Sequence, residues 1–198
     1  MLKVAVTGGI GSGKSAVGEI LQELGAVLID SDELARTVIE RGSSGYDQVL
    51  AAFGDEILTE GEIDRAKLAG LVFTEPELRK KLEGIVHPLV REAAEGIMRS
   101  IPAESVVVNE IPLLFETDGA KRFDFVIAVQ TPIDLRIERL TQRGLKKYEI
   151  EKRVAAQASD DQRASIANAI IVNDGSISDL RSKVEDLWFG QIQPKAGK

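Results

Sequence analysis

The chain has no cysteine and a single histidine among its 198 residues. The lack of cysteine excludes disulfides, thiolate nucleophiles and cysteine-ligated zinc, and it fits a reducing compartment. One histidine without cysteine also argues against a zinc site. No apolar run approaches the roughly 20 residues that span a bilayer, and the first residues form an apolar strand pattern in place of a signal peptide. These absences predict a cytoplasmic protein without a membrane partner.

Positive charge is in deficit as well, since the net charge is −7. Binding to a nucleic-acid backbone needs a basic surface, so we expect no nucleic-acid partner. A hydrophobic content of 43% over this length is enough for one sizeable core. No large exposed apolar stripe is evident, which favours a monomer.

A glycine-rich run stands between an apolar stretch and a helical pattern near the N-terminus. It reads Gly8-Gly9-Ile10-Gly11-Ser12-Gly13-Lys14-Ser15 and follows the apolar residues 2–7. After it, apolar side chains recur at helical spacing up to Leu24. This order of strand, loop and helix fits the phosphate-loop pattern G-x-x-x-x-G-K-[ST], which predicts a bound nucleoside triphosphate.

Each residue type in this phosphate loop has a chemical task. Glycines leave backbone N–H groups free to converge on phosphate oxygens at a helix N-terminus. Lys14 would reach the β and γ phosphates, and the Ser15 hydroxyl would be a ligand of Mg²⁺. The expected nucleotide-binding residues are Gly9, Gly11, Ser12, Gly13, Lys14, Ser15 and Ala16. The alternatives are a purely structural turn and a dinucleotide fingerprint, which would need glycine at position 14.

The rest of the chain predicts an α/β fold. Five apolar, β-branched runs alternate with helical stretches, which is typical of a parallel sheet covered by helices on both faces. These runs are Val4–Thr7, Ala26–Ile29, Val106–Val108, Phe125–Val129 and Ala169–Val172. The gap between the second and third runs is too long for one crossover, so it must hold an inserted helical region. Within it we expect separate helices over 78–85 and 89–98, with Pro88 near a helix start.

A pair of carboxylates follows the second predicted strand at Asp30-Ser31-Asp32. Open α/β sheets bind ligands at the carboxyl ends of their strands. In an extended segment two carboxylates two residues apart point the same way, and one could accept a proton from an attacking hydroxyl. We expect Asp32 to be this base, with Asp30 near metal-bound water or substrate. The alternative is that one of them only caps the helix that follows near Glu33.

Basic residues concentrate in one segment of this acidic chain. Between Arg136 and Arg153 seven basic residues face three acidic ones, a local charge of +4. An acidic protein that binds a polyphosphate needs such a local concentration of positive charge. For several of these residues a solvated helix face is the competing interpretation.

Five segments follow one another along the chain in a specific order. They are Thr7–Ser15; Ile29–Asp32 with Ala35-Arg36; His87–Val90; Pro112–Glu116; and Gln157 with Arg163 and Asn173–Gly175. Together they resemble the dephospho-coenzyme A kinase family, and the likeness extends over nearly the whole chain. The first segment is shared by many kinases, whereas the ordered set is specific.

The resemblance implies a three-layer P-loop NTPase fold with a five-stranded parallel sheet, an inserted helical acceptor-binding domain and a helical lid. It implies transfer of the ATP γ-phosphoryl group to the ribose 3′-hydroxyl of dephospho-coenzyme A, the last step of coenzyme A synthesis. The single kinase unit over 1–198 would have its core at about 1–31, 100–138 and 165–190. The acceptor insertion would cover about 33–99 and the lid about 139–163.

The same resemblance assigns roles to individual residues. Asp32 would be the base, and Lys14 and Arg139 would act with it in catalysis. Arg143 and Asn173 would bind the nucleotide. The acceptor-binding residues would be Asp32, Arg36, His87 and Leu113. His87 invites a general-base role, but Asp32 is nearer to the expected phosphate site, so we assign His87 to the acceptor pocket or to structure.

Three positions depart from the family pattern. Ala16 replaces a frequent threonine, Ser31 replaces a frequent alanine, and Glu110 stands where an aspartate is common. The last departure weakens the case for a metal-water role of Glu110.

Two other functions are the alternatives. Shikimate kinase also combines a phosphate loop with Asp-x-Asp, but its Gly-Gly-Gly acceptor loop is missing here. A nucleotide-dependent switch of the GTPase type would need an Asn-Lys-x-Asp motif, which the chain also lacks.

Overall fold

The computed structural model describes residues 1–196, without the side chains of residues 73 and 74. The chain folds into two compact units, which are Met1–Asp30 with Pro102–Lys198, and Ser31–Ile101. No helix within the described range is long and apolar enough to cross a membrane.

The first unit is built on a five-stranded parallel sheet, as the sequence predicts. Its strands are β1 (Leu2–Gly8), β2 (Val27–Asp30), β5 (Val106–Glu110), β6 (Phe125–Gln130) and β7 (Ala169–Val172). Their order across the sheet is β2-β5-β1-β6-β7, so the N-terminal strand lies at the centre. The helices are α1 (Lys14–Glu23), α6 (Ile133–Gln142), α7 (Lys147–Ala155), α8 (Asp160–Ser165) and α9 (Ile177–Leu187).

Alternate residues of β1 pack into two different cores. Val4 and Val6 are fully buried in a cluster with side chains of α1 and α9, whereas Ala5 packs with Leu114 and Val126 in another. Because both faces of the central strand are covered, its sequence is a continuous apolar run. Packing on both faces of the sheet fixes the carboxyl end of β1, where the phosphate loop begins.

The chain end after α9 is more ordered than the sequence suggests. Chain termini are usually poorly ordered, which predicts a frayed end over 191–198. In the structure Ile192 is fully buried in the core of the first unit. The Lys195 ammonium lies 4.7 Å from the centre of the Phe125 ring. Fraying is therefore wrong for these residues, while positions 197 and 198 lie outside the described range.

The second unit is mostly helical, with α2 (Ser31–Thr37), α3 (Ser44–Phe53), α4 (Arg65–Thr74) and α5 (Pro76–Arg99). Its core contains Val49, Phe53, Ile57 and Leu68. The two helices predicted over 78–85 and 89–98 form the single helix α5, which has Pro76 in its first turn and Pro88 inside it. The expectation that Pro88 lies near a helix start is therefore wrong.

A small antiparallel hairpin in this unit was not predicted. Its strands are β3 (Leu58–Thr59) and β4 (Glu62–Ile63). The turn between them has φ values of 54° at Glu60 and 81° at Gly61. Positive φ at both central positions is the type I′ geometry that matches the twist of a hairpin. Strands of two residues are too short to show period-two alternation in a sequence.

Candidate active site

The phosphate loop turns sharply between β1 and α1. The Ser12 N–H donates to the Gly9 carbonyl at 3.1 Å, and Gly11 has a φ of 77°. Gly13 is the N-cap of α1 in the left-handed conformation, and no side chain accepts a hydrogen bond as a cap there. The first N–H groups of a helix have no partner within it, and the helix dipole favours an anion at that end. The loop thus presents a phosphate-binding helix terminus.

The Ser12 peptide is held from outside the loop by polar side chains. The Asn173 amide donates to the Ser12 carbonyl at 2.9 Å. The Thr131 hydroxyl lies 2.9 Å from the same carbonyl and 3.0 Å from that of Asn173. A Cβ at Gly13 would collide with the Asn173 amide, so only glycine fits this position. Asn173, expected as a nucleotide ligand, here fixes the loop through its side chain.

Ser15 points its hydroxyl at an acidic residue on a neighbouring strand. The hydroxyl donates to Oε2 of Glu110 at 3.0 Å. Glu110 is the last residue of β5 and is only 6% exposed. Its register partners are Val6 on one side and Asp30 on the other, so two carboxylates end adjacent strands. A metal-water role for Glu110 is weakened in the sequence because the family commonly has aspartate there. The position of Glu110 just after a predicted strand is nevertheless a sequence signal for a site residue.

These oxygen donors fit Mg²⁺. Magnesium keeps several waters and takes one or two carboxylates or hydroxyls together with substrate phosphates. A cage of three or more acidic or histidine ligands is not found among the described residues, and Mg²⁺ bound to a nucleotide does not need one. The Ser15–Glu110 pair is therefore a suitable donor set.

Two arginines of α6 donate to backbone carbonyls at this site, and the sequence assigned a role to only one of them, Arg139. Arg139 is partly buried and donates to the Asn173 carbonyl at 3.3 Å. Arg136 is 4% exposed, and its Nε donates to the Ile10 carbonyl at 2.8 Å. Arg136 precedes Arg139 by three residues, which places both on one helix face. The spacing of three residues indicates a shared helix face, but it does not show that Arg136 is buried.

The remaining basic residues of the segment lie at the surface. Arg143, the C-cap of α6, is exposed. Lys146, Lys147, Lys152 and Arg153 are exposed as well. The solvated-face interpretation therefore fits this second half of the cluster, while Arg136 bonds to the loop and Arg139 bonds to the Asn173 carbonyl.

The segment after α7 also contacts the loop. The Gln157 side-chain oxygen accepts from the Ile10 N–H at 2.8 Å. The next N–H, that of Ala158, donates to a carboxylate oxygen of Glu116 at 2.8 Å. Three of the family-like segments thus meet here, and each contact joins residues far apart in sequence. Leu113, expected at the acceptor, is half-buried in the turn that also contains Glu116.

The expected acceptor-binding residues of the second unit are exposed. Asp32 and Arg36 lie on α2, and His87 lies on α5, which packs against α2. The helix α2 begins at Ser31, directly after Asp30. The expectation of an extended Asp30–Asp32 segment with parallel carboxylates is therefore wrong, because helical backbone turns them apart. Asp32 instead lies in the first turn of α2.

One cavity in the second unit includes a predicted acceptor residue. Its volume is about 260 Å³, and it is lined by Arg36, Ile39, Glu40, Glu62, Ile63 and Arg65. Both hairpin strand β4 and helix α2 contribute to its wall. Two arginines, two glutamates and two isoleucines line it, so its wall combines apolar surface with charges of both signs.

The family model and the curated relatives agree on one family. The family model described as dephospho-CoA kinase matches residues 2–179. A dephospho-CoA kinase of Frankia casuarinae is 43% identical over 189 residues, which cover 95% of this chain and 82% of the relative. The structure titled dephospho-CoA kinase from Campylobacter jejuni has a TM-score of 0.72 and 28% identity, covering 97% of each chain. The structure of TT1252 from Thermus thermophilus has a TM-score of 0.85 and 32% identity, covering 96% of this chain and 97% of that one.

Proposed function

The chain belongs to the dephospho-CoA kinase family and phosphorylates dephospho-CoA to CoA, and we propose that the phosphate loop and the Asp32 carboxylate carry this reaction. The observation that supports the proposal best is the loop itself, with its uncapped helix terminus and its Ser15–Glu110 pair. The first unit would bind ATP, and the second unit would bind the acceptor.

On the ATP side, the residues act mainly by position and charge. Backbone N–H groups of Gly11, Ser12 and Gly13 with the Lys14 ammonium would bind the β and γ phosphates, and Gly9 and Ala16 would border them. Arg139 and Arg143, both in the proposed lid, would contribute positive charge. Mg²⁺, held by Ser15 with Glu110 beside it, would neutralise charge on the phosphate oxygens.

On the acceptor side, Asp32 would orient the ribose 3′-hydroxyl and take its proton. The hydroxyl oxygen then forms a bond to the γ phosphorus as the bond from that phosphorus to the β–γ bridging oxygen breaks, and ADP leaves. Arg36 in the cavity of the second unit would pair with anionic groups of the acceptor. His87 and Leu113 would provide contact surface.

Closure of the segment 139–163 over bound ATP would exclude water from the transferring group. The hydrogen bond from Arg139 to the Asn173 carbonyl and the contact of Gln157 with Ile10 of the loop support this role. We further propose that the enzyme works as a cytoplasmic monomer, as the sequence predicts.

Acceptor dependence tests the proposed reaction. ADP release from ATP and Mg²⁺ should be fast with dephospho-CoA and should stay at the acceptor-free background with shikimate or simple nucleosides. Coupled spectrophotometry would follow ADP, and mass spectrometry would identify the product. Hydrolysis of equal rate with and without dephospho-CoA would contradict the proposal and would favour a nucleotide-dependent switch.

A further inference from the structure

In the phosphate loop, the backbone N–H and the carbonyl of Ile10 each form a hydrogen bond with a side chain. Its N–H donates to the Gln157 side-chain oxygen at 2.8 Å, and its carbonyl accepts from Nε of Arg136 at 2.8 Å. Gln157 and Arg136 are each more than 120 residues away in sequence. Both belong to the first unit, where Arg136 precedes the proposed lid and Gln157 lies within its second half. The two contacts therefore tie the base of this segment to a single position of the loop.

Arg136 occupies an energetically costly position. It is 4% exposed, and its guanidinium lies against Gly9 so closely that a Cβ there would collide with it. Burial lowers the pKa of the Arg136 guanidinium, the nearby Asp160 carboxylate opposes that shift, and Arg163 adds to it. Burying a charge is unfavourable unless it is well paired. A buried guanidinium beside a loop is therefore better explained by the groups that it positions than by a gain in stability.

The pairing of Arg136 is incomplete. Oδ1 of Asp160 lies 3.9 Å from Nη1 of Arg136 and accepts a hydrogen bond from Nη2 of Arg163 at 2.7 Å. One carboxylate thus serves two buried guanidinium groups. Nε and Nη1 of Arg163 are buried without a hydrogen-bond partner among the described residues. The Ile10 carbonyl is consequently a principal partner of Arg136.

We propose that Arg136 and Gln157 are positioning residues that hold both peptide groups of Ile10 and thereby set the phosphate loop for ATP. Ile10 lies between Gly9, whose carbonyl accepts the Ser12 N–H, and Gly11, which has a left-handed φ. Rotation of either Ile10 peptide would move this turn and the N–H groups after it. The inference rests on the proposed binding of ATP by the loop.

Four variants and one control test this proposal. Arg136→Gln removes the guanidinium, Arg136→Lys keeps the charge and a donor, Gln157→Met removes the acceptor at similar length, and the fourth combines Arg136→Gln with Gln157→Met. Val184→Ala in the fully buried core controls for loss of stability. Calorimetry would give Kd for ATP with Mg²⁺, and kinetics would give KM for both substrates, with Tm measured alongside.

Arg136→Gln and Gln157→Met should each raise Kd for ATP by about tenfold, because each removes the side-chain group that bonds to a peptide group of Ile10. KM for dephospho-CoA should stay within about twofold, and Arg136→Lys should recover part of the affinity. The double variant should raise Kd by less than the product of the single effects, because both act through one residue.

Unchanged ATP affinity in Gln157→Met and Arg136→Gln, or a loss that follows Tm as in Val184→Ala, would overturn the inference. Strictly multiplicative effects would overturn the shared action through Ile10. Failure of the unmodified enzyme to bind ATP would instead contradict the proposed function, so the two failures are distinguishable.

Discussion

Asp32→Asn should lower kcat by about 10²- to 10⁴-fold while Kd for ATP changes by less than about twofold. The amide keeps the size of the side chain but cannot accept the hydroxyl proton as a carboxylate does. Asp32 lies in the first turn of α2, in the second unit, whereas the phosphate loop belongs to the first. The substitution should therefore separate chemistry from nucleotide binding.

The neighbouring Glu33 offers a matched control. It is also acidic, exposed and in the first turn of α2, so Glu33→Gln removes the same charge from the same helix end. This variant should keep kcat within about threefold, since a first-turn charge affects mainly helix stability. Stopped-flow or quenched single-turnover assays would isolate the transfer step. Full activity of Asp32→Asn would remove Asp32 from the mechanism.

Glu110→Gln should raise the Mg²⁺ concentration for half-maximal activity by about 10- to 100-fold, as is typical when a residue that orients a metal ligand is lost. Glu110 is buried and accepts from the Ser15 hydroxyl at 3.0 Å. A glutamine can still accept that hydrogen bond, so the loop should keep its shape while the negative charge disappears.

Glu116→Gln is the control for this second change. Glu116 follows the same strand but is exposed, and its oxygen accepts the Ala158 N–H, which a glutamine oxygen can also do. Its half-saturating Mg²⁺ concentration should match that of the unmodified enzyme. Titration of Mg²⁺ at saturating substrates measures both variants. If Glu110→Gln left the half-saturating Mg²⁺ concentration unchanged, Glu110 would have no role in Mg²⁺ binding and would act only as a hydrogen-bond partner of Ser15.

The sheet could be predicted from the sequence because buried parallel strands form local apolar runs. The central run over 4–7 became β1 at 2–8, and the run over 169–172 became β7 with the same bounds. Elements without a local pattern were missed. The hairpin of β3 and β4 depends on a Glu60–Gly61 turn, and Glu is not a residue that signals type I′ geometry.

In the candidate site, too, features that are local in sequence could be predicted and contacts between distant segments could not. The phosphate loop is continuous in sequence, so its shape was predictable from glycine spacing and from Lys14 and Ser15. The contacts of Arg136 and Gln157 to Ile10 join distant segments, and burial decides them. Sequence alone therefore showed a net positive segment, without showing that Arg136 lies inside and Arg143 outside. The start of α2 at Ser31 likewise overturned the extended geometry assumed for Asp30 and Asp32.

The position of the new phosphate tests the central claim most directly. Dephospho-CoA would be converted with ATP and Mg²⁺, and the product would be examined by phosphorus–proton correlation NMR. Transfer to the ribose 3′-hydroxyl predicts a new phosphomonoester signal coupled to H3′, with one ADP formed per product. A signal coupled to another ribose proton, or release of inorganic phosphate alone, would contradict the account.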